Sequence, residues 1–200
     1  MAVRPAGIVD AALGILDAYG LADLSMRRIA DALGVQAAAI YWHFANKQTL
    51  LAAVSDAILA GQAGWDDQLS LEVWARDLRG VLLAHRDGAE LVAASLAVGL
   101  CERIPDAGAV AAFESHGWQP DEAGRAARAI VHFILGHVIQ EQTRQNLLAV
   151  GVLAPPTEAL DEEGFELGLR MLISGARAVA AGRDSRVDGS DGEPDVSYAV

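Results

Sequence analysis

The residues able to do chemistry crowd into one short stretch: Arg27 and Arg28, then Gln36, then Tyr41-Trp42-His43, then Lys47. Their types suit recognition rather than catalysis. An arginine can fork onto guanine O6 and N7 or clamp a phosphate. Tyr41 and His43 can donate to phosphates, and Lys47, the only lysine in the chain, adds a positive charge. Ile40 and Phe44 between them are explained by core packing, whereas Trp42 reads equally well as core or as a phosphate neighbour. No phosphate-binding loop, G-x-S-x-G or Glu-x-x-His pair occurs in the sequence, so it carries no signature of a nucleophile or a di-iron bundle.

The elements that must hold these residues are legible around them. Ser25 is an N-cap candidate, with Leu24 and Ile29 placed as a hydrophobic staple. Ile29, Ala30 and Leu33 repeat at helical spacing, and Gly34 ends that helix. Val35 can plug the angle before a second short helix from about Gln36 to His43. Asn46 then caps a longer helix from Lys47 to about Leu59 or Ala60. Helix, glycine turn and short helix form a helix-turn-helix, whose second helix can enter a major groove.

The stretch Leu24–Leu51, and above all YWHF followed by Asn46-Lys47, resembles the DNA-binding domain of the TetR (tetracycline repressor) family. HRDGAEL at His85–Leu91 and HFILGHVIQEQ at His132–Gln142 are similar to stretches of the family's C-terminal domain. The resemblance extends from Ile8 to about Ala181. It implies a homodimer that binds a double-stranded DNA operator and responds to a small organic effector, with the last two long helices pairing in a four-helix bundle. It places Arg27 on a base edge and Arg28 on the backbone. The implied DNA-binding set is Ser25, Arg27, Arg28, Gln36, Ala37, Ala39, Tyr41, Trp42, His43 and Lys47. Tetracycline-binding members carry glutamine, proline and threonine where this chain has Ala37, Ala38 and Ala39, so a different operator is expected.

The body departs further. Tetracycline-binding members ligate magnesium through a histidine, which here is Val92. Their nearby threonine is Ser95, their glutamate Gln140, and their pocket asparagine and phenylalanine are Trp74 and Leu78. Loss of the imidazole removes the metal donor, so the expected effector is not tetracycline–magnesium, and neither metal nor cofactor is expected. Candidate pocket liners are Trp74, Ser95, Phe113, Trp118, Arg128, His132, Phe133, His137 and Gln140, suiting a mainly apolar or aromatic molecule held by a few polar groups. His132 and His137, five residues apart, share no helical face suited to a metal pair.

Composition bounds the rest. Of 200 residues, 52% are hydrophobic, long period-2 runs are absent, and an all-α chain is expected. The net charge of −12 argues at first against nucleic acid. Through Gln62, however, Arg4, Arg27, Arg28 and Lys47 nearly balance Asp10, Asp17, Asp23, Asp31 and Asp56, so the acid lies in the remainder. Weak non-specific binding that depends on specific contacts follows. Apolar runs such as Ala129–Gln140 are too short for a membrane span, and no export segment opens the chain; a cytoplasmic protein without membrane contact is expected. The single Cys101 excludes an intrachain disulfide framework and reads as a buried thiol rather than a redox sensor.

The expected division is 1–46 helix-turn-helix domain, 47–62 connecting helix, 63–181 effector and dimerisation domain, and 182–200 disordered tail, rich in Asp, Gly and Ser. A first helix is expected over Ile8–Tyr19, with Ile8, Ala12, Ile15, Leu16 and Tyr19 on one face and Met1–Gly7 frayed. Further helices are expected over Leu71–Arg86, Ala89–Arg103, Ala107–His116, Asp121–Leu148 and Glu158–Ala181, the last capped by Thr157. The competing readings are an all-α carrier or enzyme with an incidental helical hairpin, and an activator of the same fold.

Overall fold

The computed structural model describes residues 3–62, 70–154 and 162–187, and every regular element among them is helical. In chain order these are α1 (Pro5–Tyr19), α2 (Met26–Leu33), α3 (Ala37–Tyr41), α4 (Lys47–Leu59), α5 (Leu71–Leu83), α6 (Gly88–Val98), α7 (Ala107–Ser115), α8 (Pro120–Ala149) and α9 (Glu162–Val187), with one 3₁₀ turn at Leu21–Asp23.

Helical periodicity decides what each element buries. Ile8, Ala12 and Leu16 of α1 meet Ile29 and Ala30 of α2, Ile40 of α3, and Leu50, Val54 and Ile58 of α4. In the body, Trp74, Leu78 and Leu82 of α5 join Leu91 and Val92 of α6, Ile130, Ile134 and Val138 of α8, and Phe165, Leu169 and Ile173 of α9. Helix α4 packs on α1 at one end and on α5 and α6 at the other, so it joins the two layers. Ion pairs fasten α9 to α5: Arg76 forks onto Glu166 at 2.6 and 2.7 Å, and Arg177 reaches Glu72 at 3.1 Å. The Arg76 guanidinium holds the Glu166 carboxyl below the usual carboxylate range.

Several boundaries differ from those expected. Helix α1 starts at Pro5 rather than fraying to Gly7, because proline suits a first turn behind an extended Arg4. Tyr19 leaves the buried face, 53% exposed, and its ring carries the Arg28 guanidinium at 3.9 Å. Helix α6 stops at Val98, short of Arg103, since Gly99 turns left-handed (φ 71°) and breaks the ladder. Helix α9 continues to Val187, so the disordered tail expected from Gly182 is helical over its first residues. The rest of that tail (188–200), the start of the expected effector domain at 63–69 and the Thr157 cap lie outside the described residues.

A polar junction joins the N-terminal layer to the body. Asp87, held at φ 54°, accepts from Leu21 N at 2.8 Å through Oδ2 and from Asn146 Nδ2 at 2.7 Å through Oδ1. His85 Nδ1 lies 3.1 Å from Asp17. Gly20 sits against this junction at φ 87°, ψ 174°, a conformation essentially reserved for glycine, and a Cβ there would lie 2.6 Å from Asp87 Oδ2. Gly20→Ala is therefore expected to lower stability by about 2 kcal/mol, from backbone strain plus a displaced carboxylate. An unchanged urea midpoint would show that the junction yields without cost.

Candidate functional site

The reading face is built by three caps. Ser25 accepts from Arg28 N at 3.2 Å and starts α2. Gly34 N bonds Asp31 O and Val35 N bonds Ala30 O, closing α2 and turning the chain sharply into α3. Asn46 Oδ1 accepts from Thr49 N at 2.9 Å while Thr49 Oγ1 accepts from Asn46 N, a reciprocal box that fixes the start of α4. Lys47 is half-buried in that first turn. A lysine in the first turn of this 13-residue helix, where the helix end carries positive partial charge, suits a phosphate.

The expected DNA-binding residues divide accordingly. The Arg27 side chain is 91% exposed, with only a loose 3.9 Å contact to Asp31. Arg28 is instead engaged within the domain, paired to Asp23 and stacked on Tyr19, which leaves it less available to the DNA backbone. Gln36, Tyr41, Trp42 and His43 are exposed around α3; Trp42, 85% exposed, is not core. Ala37 and Ala39 are half-buried, Ala37 against the core, and the exposed alanine is Ala38, which the expected set omitted.

The body holds a cleft of about 450 Å³ between the end of α6, the loop 99–106 and α8. Of the nine expected pocket residues only Arg128 and His132 line it. Trp74, Ser95 and Phe113 are buried in the core, at 4, 5 and 4% exposure. Phe113 packs on Trp118 at 5.0 Å. Phe133 and His137 form an aromatic group with Phe165, at 5.6 and 5.3 Å from its ring, between α8 and α9. Gln140 is exposed on α8.

Sequence reasoning missed Leu96, Cys101, Ile104, Pro105 and Asp106, all on the cleft wall. The early stop at Gly99 unwinds this segment; Gly99 followed by Pro105 was the available signal. Cys101 is half-buried rather than buried and donates to Ser55 Oγ at 3.6 Å. Burial holds its thiol above the usual range, Asp56 adding to the effect and the Ser55 bond opposing it. Asp56 of α4 accepts from Glu102 N at 3.0 Å and Arg103 N at 2.8 Å. The cleft wall is thus fastened to α4, the helix that packs on the N-terminal layer.

An exposed polar face around α3 and a largely apolar cleft in the body match a known architecture. Residues 8–54 match the bacterial regulatory proteins of the tetR family, and residues 59–159 the tetracyclin repressor-like C-terminal domain. The class A tetracycline repressor from transposon 1721 of Escherichia coli is 32% identical over 86% of this chain and 90% of its own.

The chain belongs to the TetR family.

TetR-family relatives of solved structure agree. Mycobacterium smegmatis BioQ superposes with a TM-score of 0.79 at 38% identity, covering 88% of this chain and 98% of that one. BioQ bound to its natural double-stranded DNA operator gives 0.72 at 36% identity, covering 88% and 99%. A TetR variant of Acinetobacter baumannii AYE in complex with minocycline gives 0.71 at 28% identity, covering 89% and 98%. As a TetR-family repressor this protein is a ligand-responsive DNA-binding regulator and not an enzyme. No described helix is long and apolar enough to cross a membrane. At the positions where the sequence resemblance implied magnesium ligands, Val92 is fully buried and offers no donor, and Gln140 is exposed.

Proposed function

We propose that the protein acts in the cytoplasm as a homodimer on a palindromic operator, which it releases when a small organic molecule other than tetracycline–magnesium enters the body. The exposed Arg27, flanked by Gln36, Tyr41, Trp42 and His43, carries this reading, because these groups face solvent and Arg27 is held only by the loose 3.9 Å contact to Asp31. A face surfaced by alanine makes few direct hydrogen bonds, so Arg27 and operator shape would supply much of the specificity. Dimerisation is supported by the outward face of α9, where Leu167 and Met171 are 54 and 67% exposed, and by the exposed stripe Ala129, His132, Gly136 and Gln140 on α8. The exposed apolar side chains of α9 suit burial against a partner, with the α8 stripe beside them. Two reading helices must sit about 34–36 Å apart to enter successive major grooves, so a small effector-driven shift abolishes the fit.

The test is selection of bound duplexes from a random DNA pool by the purified protein. Enrichment of one two-fold site is expected, and its release then screens effectors. Failure to enrich any sequence would overturn the reading and favour a small-molecule carrier.

A further inference from the structure

We propose that the cleft selects a small zwitterion with an apolar body, its amine held by Asp106 and its carboxylate by Arg128. This rests on the reading of the cleft as the effector site and adds the chemical class.

Most of the cleft wall is apolar, including Leu96, Ile104, Val131 and Leu135. Against it stand two charges of opposite sign. Asp106 is only 8% exposed, yet its carboxylate has no hydrogen bond or ion pair among the described residues. It occupies the N-cap position of α7, where an aspartate ordinarily accepts from the first turn, but makes no cap bond. Asp106 thus stands in the cleft lining without a partner among the described residues.

Arg128 lines the cleft from α8 and likewise forms no ion pair among the described residues, in a chain with 27 acidic side chains against 15 basic ones. No ion pair joins it to Asp106 across the cleft. His132, one turn further along α8, gives a second donor beside it. A monocation would satisfy Asp106 and meet Arg128 as a like charge; a monoanion would do the reverse. A molecule carrying both charges satisfies both: Asp106 is the buried group left without a partner, which makes the site discriminating, and Arg128 is exposed beside it to meet the opposite charge.

Cys101 supplies the readout, being the sole cysteine and part of the cleft wall. Full-length protein is titrated by calorimetry with aminocaproic, aminocaprylic and aminoundecanoic acids, and with the chain-matched fatty acids and alkylamines. Maleimide labelling of Cys101 is followed in parallel. At least one amino acid of the series is expected to bind, to slow labelling, and to exceed its matched acid and amine by about tenfold, the size of one charge-assisted hydrogen bond. Asp106→Asn should weaken the zwitterion and strengthen the fatty acid. Arg128→Gln should weaken the zwitterion and strengthen the alkylamine, a crossed pattern that a merely structural role would not give. A singly charged compound binding as tightly as the zwitterion, or no zwitterion protecting Cys101, would overturn the proposal. Operator release is measured separately by fluorescence anisotropy: a zwitterion that binds without releasing DNA leaves the cleft chemistry standing and sinks the effector reading.

Discussion

Gln142→Leu is expected to lower the stability of the protein by about 3 kcal/mol, because three hydrogen bonds vanish and two of their partners, Leu82 O and Ala89 N, stay buried. Gln142 is 5% exposed on α8. Its Nε2 donates to Leu82 O at 2.9 Å and His85 O at 2.7 Å, two carbonyls at the open end of α5. Its Oε1 accepts from Ala89 N at 3.2 Å in the first turn of α6. One side chain therefore closes two helix ends, and leucine, similar in volume, satisfies none of them. For a chain of this length the loss corresponds to about 6–12 °C in Tm. Calorimetry decides the matter, and a Tm within about 2 °C of the wild type would mean that water replaces the amide. Because the same loop carries Asp87 and His85 to the N-terminal layer, the variant should also lose operator affinity at temperatures where it remains folded.

Arg27→Ala is expected to cost operator binding about 1–3 kcal/mol, roughly 5- to 150-fold in Kd, and to relax selectivity at one base pair per half-site. Arg27 has no structural duty to confuse the result: it is 91% exposed and its contact with Asp31 is 3.9 Å long. Surface pairs of this kind contribute little to folding, so the melting temperature should not move. Affinities measured over duplexes substituted at each operator position provide the check. A uniform loss across all positions would demote Arg27 to a phosphate contact. Arg28→Ala makes the contrast, since its bonds run to Asp23 and Tyr19 and its loss should appear as reduced stability of the α1–α2 pair.

Much of the DNA-reading domain was legible because it is held by local signals. Ser25, Gly34 and Asn46 act within a few residues of themselves, and cap chemistry is written in sequence order. The core positions Ile8, Leu16, Ile29, Ile40 and Leu50 followed from spacing. The body yielded its helices by the same periodicity, but resemblance to tetracycline-binding members drew attention to Trp74, Ser95 and Gln140, which do not line the cleft. Those positions were matched by sequence order. A tryptophan at Trp74, 4% exposed, fills the space that an asparagine would leave open.

The sequence alone therefore determined the helical class, the helix-turn-helix and the family, since each rests on periodicity, caps and a contiguous motif. Tertiary structure decided which charges are free. Arg27 and Arg28 are chemically identical neighbours, yet only the placement of Tyr19 and Asp23 commits the second and leaves the first to face solvent. Arg128 and Asp106 are far apart in the chain and become one cleft only because Gly99 ends α6 early and α8 packs across the resulting loop. Availability of a side chain depends on what folds against it, and those neighbours come from elements that no local pattern joins.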